Sequence, residues 1–170
     1  MDSEKPHKPK LLFVSQLFLR VMAMATTLCA SALMATNSES ISVGNIILIA
    51  RYTYSLEFKF FVVANIIACC FSVVSIFTLL AGFPRSAFGR YLLLFLNDLT
   101  MASLVLSGCT AATTIGLLAE RGNVHVGWIP ICEQFAGFCS RGILSLALSY
   151  AGMVSLFILT ILSAFEWRRI

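Results

Sequence analysis

The chain has 170 residues, of which 59% are hydrophobic and 12% charged, and its mean hydropathy is +0.90. Values this far from the soluble range exclude a water-exposed globular domain and place the protein in a membrane. Its formal net charge of +4 comes from scattered Lys and Arg, with no cluster dense enough to track a phosphate backbone, so no nucleic-acid partner is expected.

In chain order, residues 1–10 (MDSEKPHKPK) are polar and carry two prolines, which reads as a disordered or surface-lying tail. An apolar run over 11–35 follows. It is too long for a cleaved signal peptide, whose core spans about 7–15 residues, and Arg20 lies in its middle. A loop over 36–57 leads to a second apolar run at 60–82, and a short connection with Arg85 and Arg90 leads to a third at 91–119. A loop over 120–140 precedes the last run, 143–165, and residues 166–170 end the chain. Each run meets the roughly 20 apolar residues needed to cross hydrocarbon. The expected fold is an all-α membrane protein, a four-transmembrane-helix bundle occupying residues 11–165. Neither loop reaches the roughly 50 residues of an independent domain, and neither Asn37 nor Asn123 begins a glycosylation sequon.

Orientation follows from the basic residues. Lys5, Lys8, Lys10, Arg85, Arg90, Arg168 and Arg169 fall on one side, against Arg51 and Arg121 in the opposite loops and Lys59 and Arg141 at helix edges. Both termini are therefore expected in the cytoplasm, with 1–10 as a cytoplasmic tail, 166–170 as a cytoplasmic end, and 36–57 and 120–140 as outer loops.

Two spans carry charges of opposite sign, Arg20 in the first and Asp98 in the third. A charge near the bilayer centre costs about 2.5–3.5 kcal/mol on insertion scales, so each implies the other. Both spans start from the same side, Arg20 about 14 Å beyond Leu11 and Asp98 about 10 Å beyond Tyr91, so the two charges reach similar depth. Gln16, one turn before Arg20, and Asn97 are further candidate partners. A buried ion pair fixing how the first and third spans pack is the favoured reading. The alternatives are a proton or cation site at Asp98 in a small transporter or channel subunit, and a pair formed between subunits.

Small residues recur at four-residue spacing in every span: Ala23, Thr27 and Ser31; Ala64, Ala68 and Ser72; Gly108, Ala112 and Gly116; Ala147, Ala151 and Ser155. Such stripes let helices approach closely, inside one bundle or, for a stripe facing lipid, between copies. Cys29, Cys69, Cys70 and Cys109 lie within spans and read as small core hydrophobes. Cys132 and Cys139 lie in the second outer loop, GWIPICEQFAGFC. An oxidising compartment there favours a disulfide, whereas a straight helix would hold two Cys seven residues apart about 10 Å from each other, too far to bond without a break. Trp128, Phe135 and Phe138 are candidates to anchor that loop at the membrane interface or to meet a partner.

Catalytic chemistry finds no support. His7 and His125 are the two histidines and build no HxxH or HExxH metal site, and there is no GxSxG elbow or phosphate-binding glycine loop. No catalytic residue, metal or cofactor is expected, and an enzyme is not.

The segments YSLEFKFFVVANIIACCFSVV and WIPICEQFAGFCSRGILSLALSYAG, flanked by LFLRVMAMATTLCASALMATN and YLLLFLNDLTMASLVLSGCTAATTIG, resemble the plant Casparian strip membrane domain protein-like family. Arg20, Asp98, Trp128, Cys132 and Cys139 carry the resemblance together. It implies a four-span, multi-pass protein of the plasma membrane, related in architecture to MARVEL-type proteins, with both termini inside. The resemblance also implies homo- and hetero-oligomers with related members, with membrane lipids and cell-wall-modifying proteins as further partners; the founding group makes immobile membrane platforms that direct local cell-wall modification. The first outer loop, NSESISVGNIILIARYTYSLEFK, lacks the ESLPFFTQF-like signature of the founding group, so this chain looks like one of the "-like" members.

Overall fold

The structure, a computed structural model, describes residues 7–82 and 86–168. Lys5, Arg85 and Arg169, three of the basic residues used to orient the chain, lie outside the described residues, as do the side chains of Lys8 and Lys10. Four helices dominate: α1 (His7–Ala35), α2 (Leu56–Ala81), α3 (Ala87–Arg121) and α4 (Ala136–Arg168). All four are long and apolar enough to cross a membrane. Each helix packs on its sequence neighbours and α4 closes onto α1, so α1 and α3 face one another across a diagonal.

The helices overrun the apolar runs for local reasons. α2 starts at Leu56, four residues before the apolar run, because the Ser55 hydroxyl accepts the Phe58 N–H at 3.4 Å and caps the helix there. Ser86 does the same for α3. At 35 residues α3 is about 52 Å long, so its ends project well past a hydrocarbon layer of roughly 30 Å. At the start of α3, Arg90 reaches back and donates to the Gly82 carbonyl at 3.0 Å, placing a cation at the C-terminal end of α2. Residues 7–10 belong to α1 instead of an irregular tail.

The first loop is not irregular. Ser38–Val43 (β1) and Ile46–Arg51 (β2) form an antiparallel hairpin with Val43 opposite Ile46, closed by Gly44 and Asn45. Gly44 has φ +63°, the left-handed conformation that such a two-residue turn demands and that glycine adopts without penalty.

Because lipid is as apolar as leucine, helices in a bilayer gain little from hiding apolar side chains and hold together by close packing and polar contacts. The interior accordingly mixes Phe61, Met34, Val105, Leu156 and Leu159 with many small residues. Three of the small-residue stripes point inward, those of α1, α2 and α3. The α4 stripe does not: Ala147 and Ala151 are exposed and Ser155 half-buried, while Ser145, Ser149 and Gly152 take the inner face. At Gly152 a Cβ would lie 2.8 Å from the Thr26 hydroxyl and 2.9 Å from a Thr27 methyl, so the absent side chain sets how near α4 lies to α1. Of the four cysteines read as core, only Cys109 is buried. Cys69 is half-buried, and Cys29 and Cys70 face outward, which an apolar solvent allows at no cost.

Candidate functional site

Arg20 projects from α1 into the bundle centre and meets Asp98 of α3 head on. Its two terminal nitrogens donate to the two carboxylate oxygens, each at 2.8 Å, in a two-pronged contact between side chains 1% and 0% exposed. The planar guanidinium suits this geometry as a lysine would not. Asn97 donates to Asp98 at 3.4 Å and to Ser75 of α2 at 2.8 Å, linking the pair to a third helix. Ser163 of α4 is buried nearby, so all four helices surround the charges. Gln16, one turn before Arg20, is also buried, and its side-chain oxygen and the Arg20 Nε have no hydrogen-bond partner among the described residues.

A second polar layer lies further along the bundle. The Ser149 hydroxyl donates to the Asn65 side-chain oxygen at 2.8 Å and accepts from the Cys109 thiol at 3.1 Å, joining α4, α2 and α3. Ser145 donates to the Ala30 carbonyl at 2.7 Å and ties α4 to α1. In hydrocarbon such interhelical bonds average about 0.6 kcal/mol, so their worth is in register more than in stability.

At the hairpin end, Glu39 of β1 accepts the Phe138 N–H at 2.6 Å, and Asn37 donates to the Phe138 carbonyl at 2.8 Å. Phe138 lies in the first turn of α4, whose N–H groups have no partners within the helix. A carboxylate borrowed from the hairpin thus caps α4 and complements its dipole. Sequence reasoning missed Glu39, since nothing local marks a cap contributed from 99 residues away. An acidic residue flanked by serines at the start of the first loop was the available signal.

In the loop before α4, Cys132 is bonded to Cys139, with Cα atoms 5.7 Å apart. The break that this requires is present: residues 132–134 form a turn, and α4 begins at Ala136, earlier than the apolar run at 143. Trp128, Phe135 and Phe138 do not share one surface. Trp128 is 55% exposed, whereas Phe135 and Phe138 are each only 6% exposed, with Phe138 edge-on to Phe58 of α2 at 6.1 Å between ring centres. The two phenylalanines turn inward because the disulfide-closed turn folds over the bundle, so they secure the loop to the core and do not form an outer interface. Among the described residues no three His, Cys, Asp or Glu gather where they could hold a metal ion.

The Casparian strip membrane protein domain matches residues 9–155, through nearly all of α1, the whole of α2 and α3, and most of α4. The chain belongs to that family. A CASP-like protein 1F1 of Ricinus communis is 50% identical over 97% of this chain and 93% of its own length, and a CASP-like protein 1F2 of Populus trichocarpa is 46% identical over 99% and 94%. Casparian strip membrane protein 4 of Sorghum bicolor is 36% identical over 92% of this chain and 83% of its own. No solved structure matches the chain. As a member of the Casparian strip membrane protein family, it is a multi-pass membrane protein with plant relatives.

Proposed function

We propose that the protein is a non-enzymatic scaffold of the plasma membrane that self-associates and organises a platform for local cell-wall modification. In this reading both termini are cytoplasmic and the hairpin and the disulfide loop face the wall. The carrying observation is the α4 stripe of Ala147, Ala151 and Ser155, which is turned away from its own bundle although three comparable stripes are used inside it. An outward small-residue face lets the backbone of a second copy approach closely. Exposed Ser103, Ser107, Thr110 and Thr114 on α3 offer another smooth face, their hydroxyls already bonded to their own helix carbonyls. Family members would supply the hetero-oligomeric partners, and wall-modifying proteins would meet the loops.

Arg20 and Asp98 act in this reading as the bundle's internal lock. Two carboxylate oxygens bonded to one guanidinium favour that role over ion transport, which needs a carboxylate able to change partners. Photobleaching of a tagged copy in its native plasma membrane tests the scaffold. Recovery should be slow and confined to patches, and Ala147→Leu with Ala151→Leu should speed it several-fold while the protein still reaches the surface. Uniform, rapid recovery of the unaltered protein would overturn the proposal.

A further inference from the structure

A cleft of about 560 Å³ opens at the hairpin end of the molecule, between β2, the start of α2, the end of α3 and the loop before α4. That volume lies within the range of small-molecule sites, about 300–1,000 Å³. Its floor is made by Phe58, Phe135 and Phe138, all buried, and its mouth by the exposed Tyr54, Trp128 and Ile129. Ile115 and Leu118 of α3 extend the apolar wall along the direction of the membrane spans. Arg51 is the one charged residue among the walls. It is exposed, and its guanidinium has neither ion pair nor hydrogen bond among the described residues. Glu57, the nearest acid in sequence, accepts a hydrogen bond from Ser55 at 2.6 Å and is not part of the cleft.

We propose that this cleft binds an anionic, phosphate-bearing lipid of the wall-facing leaflet, with an acyl chain along the apolar walls and the headgroup phosphate against Arg51. Depth supports this occupant. The cleft lies where the α2 span begins at Leu56 and the α3 span ends at Arg121, the level at which headgroups meet hydrocarbon. Tyr and Trp at its mouth suit that level, where an aromatic ring can be half in lipid and half in water. A zwitterionic headgroup sets its own ammonium beside its phosphate and so weakens the contact with the guanidinium, whereas an anionic headgroup engages the slot and the guanidinium without that competition. A second copy of the chain over the same cleft would bring a second Arg51 toward the first.

Trp128 at the mouth provides the readout. The chain has two tryptophans, so Trp167→Phe leaves Trp128 as the sole reporter in protein reconstituted into phosphatidylcholine vesicles. Chain-brominated phosphatidylglycerol should quench it with an apparent affinity about fivefold above that of chain-brominated phosphatidylcholine, the discrimination that one basic residue provides at a membrane surface. Arg51→Gln should bring the ratio close to one while quenching by phosphatidylcholine persists, which also shows that the variant is folded. Arg51→Lys should keep most of the preference. Equal quenching by the two lipids, or a preference that survives Arg51→Gln, would overturn the proposal. So would quenching that increases as protein is diluted in lipid, because Trp128 would then be covered by another copy. A preference for brominated fatty acid over brominated phosphatidylglycerol would overturn the phospholipid assignment.

Discussion

Asp98 without its carboxylate would leave the Arg20 guanidinium buried and unneutralised at 1% exposure. Asp98→Ala should therefore destabilise the bundle by about 3–5 kcal/mol, and Arg20→Ala should do comparable harm. The double replacement should recover part of the loss, because two charges leave together. Unfolding in detergent measures all three, and strict additivity of the single losses would show that the side chains are not coupled. Glu39 acts at a different place and more weakly. Glu39→Ala removes the acceptor for the Phe138 N–H and should cost about 0.5–2 kcal/mol, as lost caps do. Amide exchange should then quicken in the first turn of α4 and stay unchanged at the level of Arg20.

α4 lies close against α1 at Gly152. Gly152→Ala places a methyl against Thr26 and Thr27, and overpacking of this kind costs about 1–3 kcal/mol, measurable in the same unfolding experiment. Removing the Cys132–Cys139 bond by Cys139→Ser should loosen the turn over Phe135 while the four spans still insert. Localisation to a platform should then suffer more than membrane insertion, as imaging alongside surface labelling would show. The spans themselves were legible because runs of apolar residues this long have one stable home, and Arg20 and Asp98 stood out against them. Inside and outside were not legible. Hydropathy separates the two faces of a helix only when water covers one of them, so Cys70 and Cys109 looked alike although one faces out and the other in. The hairpin left a readable trace in its β-branched residues around Gly44 and Asn45, but a short link between two spans does not ordinarily hold a sheet. The inward turn of Phe135 and Phe138 depends on the chain break ahead of α4, which no local pattern announced.

At the scale of the whole molecule, the basic residues predict that the hairpin lies outside the cell and the termini inside. A single cysteine at Ser42 should react with an impermeant label on intact cells, and one at Ser3 should not; the reverse pattern would invert the assignment. The ring of helices has its own implication, because its central contact joins the first span to the third. Seventy-eight residues separate Arg20 from Asp98. At synthesis rates of about 5–20 residues per second, the guanidinium waits roughly 4–16 s for the carboxylate that neutralises it. During that interval α1 cannot settle in lipid as a finished span and must remain where water, a headgroup or the insertion machinery can solvate it. The protein thus becomes committed to the bilayer when its third span is made, and nascent chains halted after α2 should leave α1 extractable from the membrane.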